Sequence, residues 1–117
     1  MKPKYSFFSN FAYARAGLAQ IYKSEKSFRL EVAIFSVLTL LLFWFKFDSV
    51  YNILIITAQV FVLALECVNS AVERVVDLVT NDYHELAKHA KDAGSAAVMI
   101  GNFFVGFVWI AAIITKL

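Results

Sequence analysis

Between Asp92 and Lys116 the chain runs A-G-S-A-A-V-M-I-G-N-F-F-V-G-F-V-W-I-A-A-I-I-T without a charged residue. A run of this kind matches the ~20 apolar residues that an α-helix needs to cross the hydrocarbon core of a bilayer. A helix also satisfies every backbone group within its own segment, which lipid cannot do for it. Two further apolar runs precede this one. Val32 to Phe45 is short for a span; it becomes adequate when Leu30 and Phe47 are included and Arg29, Glu31 and Lys46 sit at the interfaces, where long cations snorkel. Val50 to Leu65 continues without Gly or Pro to about Val79. The composition agrees, since 61% of the residues are hydrophobic against about 45–50% in soluble domains.

Residues 5–30 mix aromatic and charged side chains, and Phe7, Phe11, Ala14, Leu18, Ile21 and Tyr22 fall on one side of a helix. This predicts an amphipathic helix lying at the membrane surface with its basic residues toward the headgroups. K-F-D-S after the first span reads as a short turn, and T-N-D at Thr80 to Asp82 as a turn carrying the N-cap of the next helix. With one proline and four glycines there is little linker material and no visible repeat or domain boundary. The expected fold is an all-α integral-membrane domain over residues 1–117, with a surface helix at about 5–30 and spans at about 30–47, 50–72 and 93–115. No 7–15-residue apolar core precedes a small-residue cleavage site, so the N-terminal stretch does not read as a removable signal peptide. A net charge of +2 is too small to suggest nucleic-acid binding. Cys67 is the only cysteine; it excludes an intrachain disulfide and is expected to be a small buried hydrophobe.

Lys and Arg number six before the first span, one between the first and second, three between the second and third (Arg74, Lys88, Lys91) and one at the end. The positive-inside rule then places the N-terminus and the 74–92 segment in the cytoplasm, with Lys46 and the C-terminus outside. Every carboxylate except Asp48 lies at or near the cytoplasmic face, where nucleotides and magnesium are available.

E-C-V-N-S-A-V-E-R-V-V-D, Glu66 to Asp77, follows the second apolar run directly. At 3.6 residues per turn Glu66, Asn69, Ser70, Glu73 and Asp77 share an arc of about 100°. One reading is a solvated face leaving the membrane with the help of Arg74. The other is chemical: an interfacial acid can serve as general base toward a hydroxyl, and acids further out can hold a hard cation through oxygen. His84, Lys88, Lys91 and Ser95 share one face of the last helix, with Asp92 beside Lys91, and cations there could neutralise phosphate charge. They serve equally as positive-inside residues. Glu25 and Arg29 are one turn apart, an ordinary i,i+4 pair unless the second helix lies close. No P-loop and no protein-kinase catalytic loop is present.

The Glu66–Asp77 stretch resembles the signature of the small prokaryotic diacylglycerol kinases, E-x-x-N-[ST]-x-x-E-x-x-x-D. Y-H-E-L-A-K-H-A-K-D-A-G-S-A-A-V is similar to that family's second block, and E-K-S-F-R-L-E to its Glu-x-x-x-Arg segment. The resemblance covers the chain from about Tyr13. It implies three spans with an interfacial helix, a homotrimer with sites shared between subunits in the inner membrane, and ATP-dependent phosphorylation of diacylglycerol to phosphatidic acid. It further implies that Glu66 is the general base, that Glu25 and Glu73 ligate ATP-bound Mg²⁺, and that Asn69 and Asp77 support them. By the same resemblance Tyr13, Asp82, Tyr83 and His84 meet the nucleotide, Lys91 with Asp92 reaches its phosphates, and Arg29, Glu31, Trp44 and Ser95 line the lipid site with Glu66. Two positions depart from the pattern. Aligning on Gly17 puts Ser6 where the family usually carries a basic residue, so that either Lys4 or Arg15 replaces it or that contact is missing, and Thr80 stands where diacylglycerol-active members often carry glycine.

A sister branch phosphorylates undecaprenol, and the A-G-S-A-A-V form is closer to the diacylglycerol branch. The competing class is a small non-enzymatic membrane protein, either a transporter that protonates Glu66 or an assembly subunit. Three spans bury little surface alone, so either class is expected to oligomerise.

Overall fold

A computed structural model describes residues 6–117. The order is α1 (Phe7–Ser24), α2 (Lys26–Phe45), α3 (Ser49–Val79) and α4 (Glu85–Lys116). Three of these helices are long and apolar enough to cross a membrane: α2, α3 and α4. The protein is therefore all-α among the described residues, with the three spans expected from the sequence.

Ser6 caps α1, its Oγ accepting from the Ser9 N–H at 3.4 Å. No residue of α1 is buried, and its Phe7, Phe11, Leu18 and Tyr22 lie open on the surface as an interfacial helix requires. The surface helix ends earlier than the pattern suggests, at Ser24 rather than 30. Glu25 is extended (φ −109°, ψ 105°), and residues 26–30 begin the first span. The physical reason lies in Arg29. Its Nη1 donates to the Tyr22 and Lys23 carbonyls at 2.8 and 2.9 Å, satisfying acceptors that a terminating helix leaves open. Glu25 and Arg29 consequently do not form the i,i+4 pair that their spacing allows; the Glu25 carboxylate faces Arg74 instead.

At 1.5 Å per residue α3 and α4 are each nearly 50 Å long, longer than the ~30 Å hydrocarbon core. Their polar ends therefore project beyond it. Lys46 turns the chain from α2 into α3 in the left-handed region (φ 55°, ψ 49°), with its N–H on the Leu42 carbonyl. Phe47 folds back into the core, stacked on Phe45 at 5.1 Å and edge-on to Trp109 at 5.8 Å.

The main packing is between α3 and α4, with α2 against α3. Ile55, Ala58, Val62, Val105, Val108 and Ala112 form its centre. Gly101 lets the backbones approach, since a Cβ there would stand 3.0 Å from both Val62 and Leu65. Gln59 lies in the middle of this apolar layer, 2% exposed. Its Nε2 donates to Thr39 Oγ1 at 2.8 Å and its Oε1 accepts from Trp109 Nε1 at 3.2 Å, so one amide joins α2, α3 and α4. Cys67 is half-buried rather than buried.

Candidate active site

The polar stripe of α3 grades outward. Ser70 is buried, Glu66, Asn69 and Glu73 are half-buried, and Asp77 is exposed. Around its inner end four carboxyl groups converge. Glu31 of α2 lies within hydrogen-bonding reach of Glu66, and Glu73 and Glu25 are near enough to act on Glu66 electrostatically. Glu25 is brought there by Arg74, whose guanidinium binds Gln20 Oε1 at 2.5 Å, Ser24 Oγ at 2.7 Å and Glu25 Oε1 at 3.4 Å. This fastens the end of α1 to α3. The proximity that the sequence left open for Glu25 is thus present, and Arg74, itself exposed, is the cation that faces Glu25.

Asn69 Oδ1 is buried without a hydrogen-bond partner, and Gly94 of α4 lies directly against it. Asn52 Oδ1, near the opposite end of α3, shares this lack of a partner, so it is the contact with Gly94 that distinguishes Asn69. Asn102 of α4 donates from Nδ2 to Glu31 Oε1 at 3.3 Å. Neither Asn102 nor Arg74 stands out from helix periodicity; the signal for Asn102 was its position as a lone amide in an uncharged span.

Beyond the acids, the ends of α3 and α4 and the turn between them enclose a groove of about 370 Å³. Asp77, Asp82, Tyr83, His84, Lys91 and Asp92 all line it, with Thr80 and Lys88. Lys91 Nζ is 2.7 Å from Asp77 Oδ1 and Lys88 Nζ 2.6 Å from Asp92 Oδ2. The Asp77 hydrogen bond holds the Lys91 ammonium above the usual lysine range, against a smaller opposing effect of desolvation. Thr80 is extended (φ −152°), a conformation open to any residue, so glycine is not required by the backbone here. Its Oγ1 accepts from the Asp82 N–H at 3.1 Å and shapes the turn. The helix cap, expected within T-N-D, is His84: its Nδ1 accepts from the Leu86 N–H at 3.1 Å, and α4 starts at Glu85. Thr80 is occupied with the turn itself, which shifts the cap downstream.

Other expected residues do not line the groove. Tyr13 lies on α1 and does not line the groove. Trp44 is exposed at the far end of α2 from Glu31, about 20 Å along the axis. Ser95 is exposed on α4, next in the chain to Gly94, which lies against Asn69. Lys4 lies outside the described residues, Ser6 is spent on the α1 cap, and Arg15 borders a hollow of about 810 Å³ between α1 and Phe28 of α2.

Among the described residues no three His, Cys, Asp or Glu side chains form a ready metal cage. Magnesium bound with a nucleotide needs no such cage, since it keeps waters and phosphate oxygens and takes one or two carboxylates. Glu25 and Glu73, both beside Glu66, fit that smaller demand by number and by hardness.

Fold and site define a small helical membrane protein with a carboxyl cluster just inside a polar groove at one end of its bundle. The family model for prokaryotic diacylglycerol kinase matches residues 12–113. The chain is 42% identical to the diacylglycerol kinase of Haemophilus influenzae over 97 residues, 83% of this chain and 82% of that one. It is 35% identical to the diacylglycerol kinase of Escherichia coli K12, over 83% and 80%, and 31% identical to the undecaprenol kinase of Bacillus subtilis, over 80% and 76%. The chain belongs to the prokaryotic diacylglycerol kinase family. Membership in a kinase family sets aside the transporter and assembly-subunit readings.

Proposed function

We propose that this chain phosphorylates diacylglycerol with ATP, giving phosphatidic acid at the cytoplasmic face of the inner membrane. The observation that carries the reading is the order of groups along α3: Glu66 beside the apolar layer, Glu73 two turns further out, then Asp77 at the mouth of the groove. A lipid hydroxyl arrives from the bilayer and a nucleotide from water, and this order meets each at its own depth. Glu66 accepts the hydroxyl proton as the lipid oxygen attacks the γ-phosphorus, and the bond to the bridging oxygen breaks to release ADP. Catalysis of this transfer is mostly positioning and charge stabilisation. Glu25 and Glu73 would hold magnesium, which with ATP bound neutralises charge on the β- and γ-phosphates. Asp82, Tyr83, His84 and Tyr13 meet the nucleotide, and Lys91 with Asp92 faces its phosphates. Arg29, Glu31, Trp44 and Ser95 contact the lipid, while Asn69 and Asp77 support the acids.

Transfer from Mg-ATP in mixed micelles, offered diacylglycerol and undecaprenol in competition, tests the reading. Diacylglycerol is expected to win, in keeping with the names of the more similar relatives; preference for undecaprenol would move the chain to the sister branch. Glu66→Gln is expected to lose at least a hundredfold in kcat with ATP affinity kept, whereas Glu73→Gln raises the KM for Mg-ATP. Equal small effects from both would contradict these roles.

The positive-inside count supports a cytoplasmic N-terminus and an external C-terminus. Because Trp44 stands about 20 Å along α2 from Glu31 within one chain, a homotrimer with sites completed between subunits is the assembly that suits it.

A further inference from the structure

Asn102 is anomalous in its surroundings. From Ala96 to Ile114 it is the one residue with a polar, non-aromatic side chain, and it lies about 13 Å into the span counted from Ala93. Polar groups at such depth are costly and are functional by default. Its Nδ2 donates to Glu31 Oε1 at 3.3 Å, and Glu31 is within hydrogen-bonding reach of Glu66. The carboxamide therefore stands one carboxyl group away from Glu66. An amide has two N–H donors and a carbonyl acceptor; Glu31 uses one donor, and the side chain is exposed on the helix surface.

We propose that Asn102 is a specificity-determining residue, reading the ester next to the reacting hydroxyl of a glycerolipid with its second N–H. The inference rests on Glu66 being the group that receives that hydroxyl. In a 1,2-diacylglycerol the nearest ester is on the carbon adjacent to the one bearing the hydroxyl. A hydroxyl held at Glu66 thus has an ester carbonyl only a few bonds away, in the neighbourhood that Glu31 joins to Asn102. A polyprenol, or a dialkylglycerol with ether links, presents no carbonyl there and leaves the donor unused.

The test compares 1,2-diacylglycerol with the matched 1,2-dialkylglycerol as acceptors in mixed micelles, for wild-type, Asn102→Leu and Asn102→Ala. Wild-type is expected to favour the diacyl lipid in kcat/KM, and both variants to lower that ratio about tenfold, the size of one hydrogen bond, with dialkylglycerol turnover retained. Retained turnover also reports an intact fold; should Leu prevent assembly, Ala adds no bulk and decides. An unchanged ratio, or an equal fall on both lipids, overturns the role of Asn102 and leaves the kinase reading standing. Wild-type transfer to neither lipid overturns both.

Discussion

Asn69 and Gly94 occupy each other's space. A Cβ on Gly94 would collide with Asn69 Oδ1 and stand 3.3 Å from its Cγ, so the absent side chain is what lets the carboxamide lie between α3 and α4. Gly94→Ala is expected to push the amide toward the acids and lower kcat tenfold or more. Combining it with Asn69→Ala should cost little beyond the single changes, because both disturb one contact; a double-mutant cycle in mixed micelles measures this, and additive losses would show separate roles. The register of Glu66, Asn69, Glu73 and Asp77 was legible because helical spacing alone puts them on one face. Gly94 was not, since a glycine's neighbour across a helix pair is set by packing. G-x-x-x-x-G at Gly101 to Gly106 illustrates the point: Gly101 is pressed against Val62 and Leu65, while Gly106 has nothing near it.

Between helices the decisive groups are the few polar side chains that bridge them. Gln59 joins Thr39 of α2 to Trp109 of α4 from the middle of α3. In lipid, apolar side chains give helices no solvent-driven reason to associate, so close packing and such bridges carry specificity. Gln59→Leu strands the indole N–H of Trp109 and is expected to destabilise the bundle by about 1–2 kcal/mol, read from unfolding in detergent. With Trp109→Phe also present, the loss from Gln59→Leu should shrink. Arg74 does the corresponding work for α1, holding Gln20, Ser24 and Glu25 against α3. The sequence marked Arg74 only as a charge near a membrane face. Its partners lie some fifty positions earlier in the chain, beyond the reach of any local pattern.

For the molecule as a whole, few apolar side chains are buried within one chain. Ile55 and Val62 are nearly closed off, while Phe43, Trp44, Phe61, Ile100, Phe103 and Phe107 face outward. Lipid and neighbouring copies are the surroundings that suit such a surface. A protein mass in detergent of three times the 13.2 kDa chain, by light scattering, is the expected outcome, and a monomer would contradict the assembly. In a Cys67→Ser background, a cysteine at Asn81 should react with an impermeant maleimide from the cytoplasmic side and one at Asp48 from the opposite side; the reverse pattern would overturn the topology. Three spans, an interfacial helix and one face of acids were determined by the sequence itself, because length, hydropathy and helical period act locally. Only the tertiary structure decided that Glu25 and Glu31 join Glu66, that Gly94 seats Asn69, and that Asn102 meets Glu31. Those contacts depend on how helices distant in the chain approach and rotate against one another, and that follows from packing summed over whole helices.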